Sequence, residues 1–345
     1  MDIAKLAATA KALVAPGKGI LAADESSGTI KRRFDSINVE STEENRRDYR
    51  EMLFRTIGVD AYISGVILYD ETIRQPGADG TPLVQVLSSR GIIPGIKVDK
   101  GTQPLSFSPN ELVTEGLDGL ATRLNEYREL GARFAKWRAV INVGRDIPTA
   151  RCIEVNAHAL ARYAALSQAA DLVPIVEPEV LMDGDHDIDA CYDATKATLI
   201  ETFAQLDRQG VSLEGMLLKP NMVLSGSSAP DRAPAETVAE YTVDCFKRAI
   251  PAAMPGIVFL SGGQSDDEAT VNLNAINVLA AKVGAPWTIS YSFGRGLQSA
   301  PLKTWAGQAA NVSAAQAAFH HRAQLTSAAQ QGKYTPAMEG AAAAV

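Results

Sequence analysis

The sequence predicts an α/β fold of the (β/α)8 TIM-barrel class, with an N-terminal helix and a helical C-terminal extension. Three features predict it. Eight short apolar runs are spaced along 345 residues, most are followed by a segment of helical period, and the runs are nearly continuous rather than alternating. Strand alternating with helix implies a parallel sheet, and continuously apolar strands imply one covered on both faces. Eight such units fit a closed barrel, with a doubly wound open sheet as the runner-up.

Residues 2–15 read as a short amphipathic helix ended by Pro16-Gly17. The first strand is GILAADES (Gly19 to Ser26), and Ser41 with Glu44 forms a capping box for a helix whose apolar face is Tyr49, Leu53 and Ile57. YISGVILYD (Tyr62 to Asp70) and GIIPGIKVDK (Gly91 to Lys100) are the second and third strands, and residues 101–116 read as a loop. A helix carrying Leu117, Leu120, Leu124 and Tyr127 closes at Gly131 before FAKWRAVI (Phe134 to Ile141). One on Ile153, Ala157, Leu160 and Ala164 leads to LVPIVEPE (Leu172 to Glu179). One on Leu199, Phe203 and Leu206 closes at Gly210 before Gly215 to Asn221. One on Val238, Tyr241 and Cys245 precedes GIVFLSGG (Gly256 to Gly263), and one on Leu273, Ile276, Ala280 and Val283 precedes WTISYSFGR (Trp287 to Arg295). Alanine-rich helical stretches follow Gln298, and from about residue 333 a mobile tail is expected. A barrel takes ~250 residues, so roughly a quarter of the chain is addition to a single domain spanning 1–345.

Composition narrows the function. Hydrophobic content of 46% and charged content of 21% are those of a soluble globular protein. A net charge of -7 without blocks of like sign disfavours nucleic acid and anionic membrane as partners. Three scattered cysteines, Cys152, Cys191 and Cys245, fit free thiols in a reducing compartment, and no leader or long apolar run is visible. The four histidines show no ligand spacing, so a cytoplasmic protein without metal or cofactor is expected.

Chemistry collects at the C-terminal ends of the strands, where barrels build their sites. Those ends supply Asp24, Glu25 and Ser26; Asp70; Lys97 and Asp99; Lys136 and Arg138; Glu177 and Glu179; Lys219; Ser261, Gly262 and Gly263; Ser292, Gly294 and Arg295. Side chains two apart share a face of a strand, so Lys136 points with Arg138 and Glu177 with Glu179. Lys219 ends an apolar strand that Pro220 stops, a buried place for an ammonium. A second ammonium at Lys136 would favour the neutral amine there, and a neutral amine attacks carbonyls to form Schiff bases. Glu177 or Glu179 could move the protons. A structural ion-pair network is the plainer alternative. The glycine turns after strands seven and eight, with Arg295, suggest a phosphate site. Lys97, Arg138 and Arg33 suggest a second, which fits a keto sugar with phosphates at both ends.

With these residues assembled, the chain resembles the class I fructose-bisphosphate aldolases. The likeness runs through GILAADESSGTIKRR, STEENRRDYR, GIKVDKG, GLDGL, FAKWR, LARYA, VPIVEPE, DGDHD, LEGMLLKPNM, FLSGGQS, NLNAIN and QGKYTP. It implies a metal-free lyase that reversibly cleaves fructose 1,6-bisphosphate to dihydroxyacetone phosphate and glyceraldehyde 3-phosphate, as a cytosolic homotetramer of glycolysis and gluconeogenesis. By position, Lys219 matches the Schiff-base lysine, Glu177 its acid/base, Glu179 a neighbour in the proton network, and Asp24 the group handling the C4 hydroxyl proton. Lys136 matches the lysine that orients substrate, with Arg138 close by. Ser261, Gly262, Gly263, Ser292 and Arg295 match the C1-phosphate site, and Lys97, Ser26 and Arg33 match positions near the C6 phosphate. Thr29 stands where the family usually has serine. The ending Ala341 to Val345 carries no tyrosine like the one that reprotonates the enamine in many members, so weak C–H exchange on dihydroxyacetone phosphate is expected. Three rivals are a metal-dependent aldolase, a transaldolase and a catalytically idle binding or scaffold protein on the same frame. The first lacks clustered histidines, and the second suits two cationic groups less well.

Overall fold

The computed structural model describes residues 1–340. Eight parallel strands close into a barrel in simple sequential order. They are β1 (Gly19–Ala23), β2 (Ile63–Leu68), β3 (Ile93–Lys97), β4 (Phe134–Ile141), β5 (Val173–Val180), β6 (Leu217–Leu218), β7 (Gly256–Phe259) and β8 (Thr288–Phe293). β1 pairs with both β2 and β8, which closes the ring.

Two apolar cores follow from the two faces of the strands. The larger lies between the strands and the outer helices, where Trp137 on β4 stacks on Tyr163 of the helix Ala150–Ala169. The smaller fills the barrel itself with Ile20, Ile67, Phe134, Ile175, Leu217 and Val258. Leu6, Ala10, Leu13 and Val14 join this inner core, so the helix Ile3–Leu13 stoppers the N-terminal end of the barrel. Glycines make the room. A Cβ on Gly65 would come 2.6 Å from Leu13, and one on Gly95 would come 2.3 Å from the Phe134 ring.

The termini are clasped at the same end. Ser327 donates to the Gly17 carbonyl at 2.6 Å, and Gln330 accepts from the Gly17 N–H at 2.8 Å. Both come from the helix Val312–Gln330. Beyond it Tyr334 is buried and donates to Glu339, while Arg322 holds both oxygens of Glu339 at 2.7 Å. Of the tail expected from about residue 333, the chain to Gly340 therefore docks on the body. The missing tyrosine and the exchange behaviour tied to it concern 341–345, outside the described residues.

Several expectations change in detail. Thr42, not Ser41, caps the helix Glu43–Phe54, accepting from Asn45 N at 3.1 Å. That helix ends before Ile57, which is 89% exposed instead of lying on its apolar face. The loop at 101–116 contains a two-stranded antiparallel hairpin, Thr102–Pro104 with Leu112–Thr114. Its prolines and serines hid the strand pattern.

Candidate active site

One cavity of about 650 Å³ opens at the C-terminal ends of the strands. The strand period sets its walls. β4 and β5 pair so that Arg138 lies level with Glu177 and Lys136 with Ile175, which turns both cations and both carboxylates into the mouth. β6 is only two residues long; the Lys219 N–H still donates to Val176 at 2.8 Å, and Pro220 ends the pairing.

At the centre Glu177 lies between two lysines. Its Oε1 is 3.1 Å from Lys219 Nζ, and its Oε2 is 3.3 Å from Lys136 Nζ, an ion-pair contact off hydrogen-bonding angle. Lys136 Nζ also lies 2.7 Å from Asp24 Oδ2. Lys136, Glu177 and Lys219 are all buried. The lysines expected to oppose each other directly are thus bridged by one carboxylate. Burial pushes the Asp24 carboxyl up, but the ammoniums of Lys136 and Lys219 outweigh it and hold Asp24 well below the usual carboxylate range. Burial pushes Lys136 down, and Asp24 with Glu177 more than compensates, holding it above the ordinary lysine range. Arg138 pairs with Glu179 through Nε, and against its burial this pairing holds the guanidinium above its usual range.

Two polar groups flank this centre. On one side Ser261 and Gly262 follow β7, with Gly262 at φ 51°, a left-handed turn that glycine adopts freely. Ser261 Oγ accepts from the Gly296 N–H at 3.3 Å, and Arg295 donates to the Gly262 carbonyl. Ser292 Oγ is buried and has no hydrogen-bond partner among the described residues, an open donor at this wall. On the other side Lys97 Nζ is 2.8 Å from Asp99 Oδ1, and Arg33 pairs with Glu25. Ser26 and Thr29, at the start of the helix Ser27–Asp35, face each other at 3.2 Å.

The cavity gathers Asp24, Ser26, Thr29, Arg33, Lys97, Lys136, Arg138, Glu177, Glu179, Lys219, Ser261, Gly262, Ser292, Gly294 and Arg295. Gly263 is exposed and does not line it. Asp70, counted among the strand ends, opens the short helix Asp70–Arg74 and binds Arg74 and Tyr127 outside the mouth. Arg32, Ser36 and Thr102 line the cavity without having been read from the strands. Arg32 and Ser36 continue the Thr29 face of a helix at three- and four-residue steps, which was the available signal.

Comparison with known proteins bears on the same arrangement. The family model of class I fructose-bisphosphate aldolase matches residues 5–345. The chain belongs to that family. It is 56% identical over 335 residues to a probable fructose-bisphosphate aldolase class 1 of Xanthomonas campestris pv. campestris, covering 97% of this chain and 99% of the relative. It is 54% identical to fructose-bisphosphate aldolase 5, cytosolic, of Arabidopsis thaliana, covering 99% and 94%. Its fold matches the Plasmodium falciparum aldolase, solved with TRAP and a small-molecule inhibitor, at a TM-score of 0.94 and 49% identity over 96% of each chain. As a class I aldolase the protein is a metal-independent lyase. It cleaves fructose 1,6-bisphosphate reversibly through a lysine Schiff base.

Proposed function

We propose that Lys219 is the amine that forms this Schiff base and that the side chains around it divide the remaining steps. The carrying observation is Glu177 held between Lys219 and Lys136, with Asp24 on the far side of Lys136. Lys219 Nζ gives a proton to Glu177 and attacks the C2 carbonyl of the sugar, and that proton passes on to the carbonyl oxygen, which becomes the carbinolamine hydroxyl. Glu177, in contact with Nζ, takes a second proton from the amine and returns it to that hydroxyl, so that water leaves and a protonated imine remains. Asp24 accepts the C4 hydroxyl proton as the C3–C4 bond breaks. The bonding pair moves into the imine to give an enamine, and glyceraldehyde 3-phosphate departs. Protonation of the enamine carbon and addition of water then release dihydroxyacetone phosphate and the free lysine. Lys136 stays charged between Asp24 and Glu177 and stabilises negative charge developing on oxygen.

The C1 phosphate is assigned to Ser261, Gly262, Ser292, Gly294 and Arg295, supported by the open Ser292 hydroxyl and the bare glycine backbone. Gly263 contributes to the turn, not to a contact. The second phosphate is assigned to Lys97, Arg138, Arg33, Ser26 and Thr29. Glu179 orients Arg138. A cytoplasmic, homotetrameric enzyme of glycolysis and gluconeogenesis is proposed from the family and from the Arabidopsis relative named as cytosolic. Among the described residues no helix is long and apolar enough to cross a membrane. Borohydride reduction in the presence of dihydroxyacetone phosphate tests the assignment: mass mapping is expected to place a stable adduct on Lys219. An adduct on another lysine, or none, would overturn it.

A further inference from the structure

Asp99 is a buried carboxylate that none of these steps uses. It lies just past β3, on the wall away from Ser261 and Arg295, and its side chain is 3% exposed. Oδ1 is 2.8 Å from Lys97 Nζ and accepts from the Gly101 N–H at 3.2 Å, while Oδ2 accepts from the Arg138 N–H at 3.3 Å. The Asp99 carbonyl takes a further hydrogen bond from Lys97 Nζ at 3.1 Å. Two backbone N–H groups thus fix the carboxylate, and the carboxylate pairs with the ammonium from the more buried side, Lys97 being the more exposed of the two.

The two cationic groups differ in this respect. Arg295 meets a neutral carbonyl, whereas Lys97, Arg138 and Arg33 each meet a carboxylate: Asp99, Glu179 and Glu25. A phosphate arriving at Lys97 therefore approaches a fixed negative charge as well as a positive one. Lysine is a point charge with rotatable donors, so Asp99 adds little to its aim and subtracts from its pull.

We infer that Asp99 is a selectivity residue that weakens the hold of Lys97 on the second phosphate of the substrate. This rests on the reading that places that phosphate at Lys97. The chemistry gives the restraint a use. The aldehyde product carries that phosphate away, and a contact equally strong in substrate and product speeds neither the chemistry nor the release. Masking the ammonium keeps the aldehyde phosphate from lingering in a mouth that the next step needs clear.

The test is Asp99→Asn, which keeps the shape and the acceptor for a backbone N–H but removes the charge. KM for fructose 1,6-bisphosphate is expected to fall by roughly threefold to tenfold, the scale of removing one like charge near a phosphate in a half-buried site. Inhibition by glyceraldehyde 3-phosphate tightens by the same factor, and KM for fructose 1-phosphate stays unchanged. A rise in KM, no change, or an equal change for both sugars would overturn the inference. Should the asparagine variant not fold, Asp99→Ser, which removes the same charge with a smaller polar side chain, takes its place with the same expected direction. Lys97→Met separates the two levels of the argument. If it raises KM for the bisphosphate alone while Asp99→Asn has no selective effect, only the inference falls. If it fails to discriminate between the two sugars, the placement of the second phosphate falls, and the inference with it.

Discussion

Asp24 stays ionised far into acid because Lys136 and Lys219 face it in a buried site. Its native pKa is depressed below the unfolded value of ~3.9, so its stabilisation is fully present above that value and is lost as pH falls through the native one. Asp24→Ala removes the 2.7 Å partner of a buried ammonium. A loss of about 3 kcal/mol at pH 7 is expected, the low end for a broken buried pair because Glu177 still faces Lys136. Urea denaturation of both proteins at pH 7 and again near ~3 should show the gap narrowing in acid. The same substitution should cut cleavage by roughly 10²- to 10⁴-fold, the scale of a lost general base, while borohydride still traps dihydroxyacetone phosphate on Lys219. Loss of trapping as well would move Asp24 from the cleavage step to the imine steps. At this scale the sequence is readable because a strand has a strict two-residue period. Lys136 with Arg138, and Glu177 with Glu179, declare a common face before any coordinate is known. The carboxylate bridging the two lysines is not readable, since it depends on which strands are neighbours across the mouth and on rotamers.

The N-terminal helix is the element whose role the pattern understated. Its apolar stripe predicts amphipathicity, and an ordinary surface helix would show the same stripe. That it stoppers the barrel follows from Gly65, where β2 lacks a side chain and Leu13 occupies the space. Leu13→Ala is expected to leave a cavity and to cost about 2–5 kcal/mol, measured by urea denaturation. KM and kcat should hold, because the stopper lies at the end of the barrel away from the site. A fall in kcat without a fall in stability would show that the two ends are coupled. The start of the helix Glu43–Phe54 was legible to within one residue, Thr42 taking the cap in place of Ser41, since either hydroxyl precedes the same acidic first turn, whereas the helix expected to carry Leu117 starts only at Leu120. The hairpin at 102–114 was illegible because each of its strands has only three residues and the first, Thr102–Pro104, faces solvent throughout.

For the whole molecule, the chemistry is carried by a lysine imine, so prolonged dialysis against EDTA is expected to leave the aldol cleavage rate unchanged. A loss restored by zinc would contradict membership of the metal-independent class. Fold class was legible because repetition averages out local error: eight apolar runs survive the misreading of any one boundary, even for β6, reduced here to Leu217 and Leu218. The additions around the barrel have no such redundancy, and each had to be read from its own few residues.

The ring closes only where β1 meets β8, and the Gly17 backbone is then held by Ser327 and Gln330, more than 300 residues later. A nascent chain therefore carries the β1 edge unpaired through almost all of its synthesis. An unpaired edge is a template for another chain, and contacts of such long sequence separation form slowly. The clasp that secures the finished barrel also delays it, and high expression or early termination should expose this protein to edge-to-edge aggregation before any active site exists.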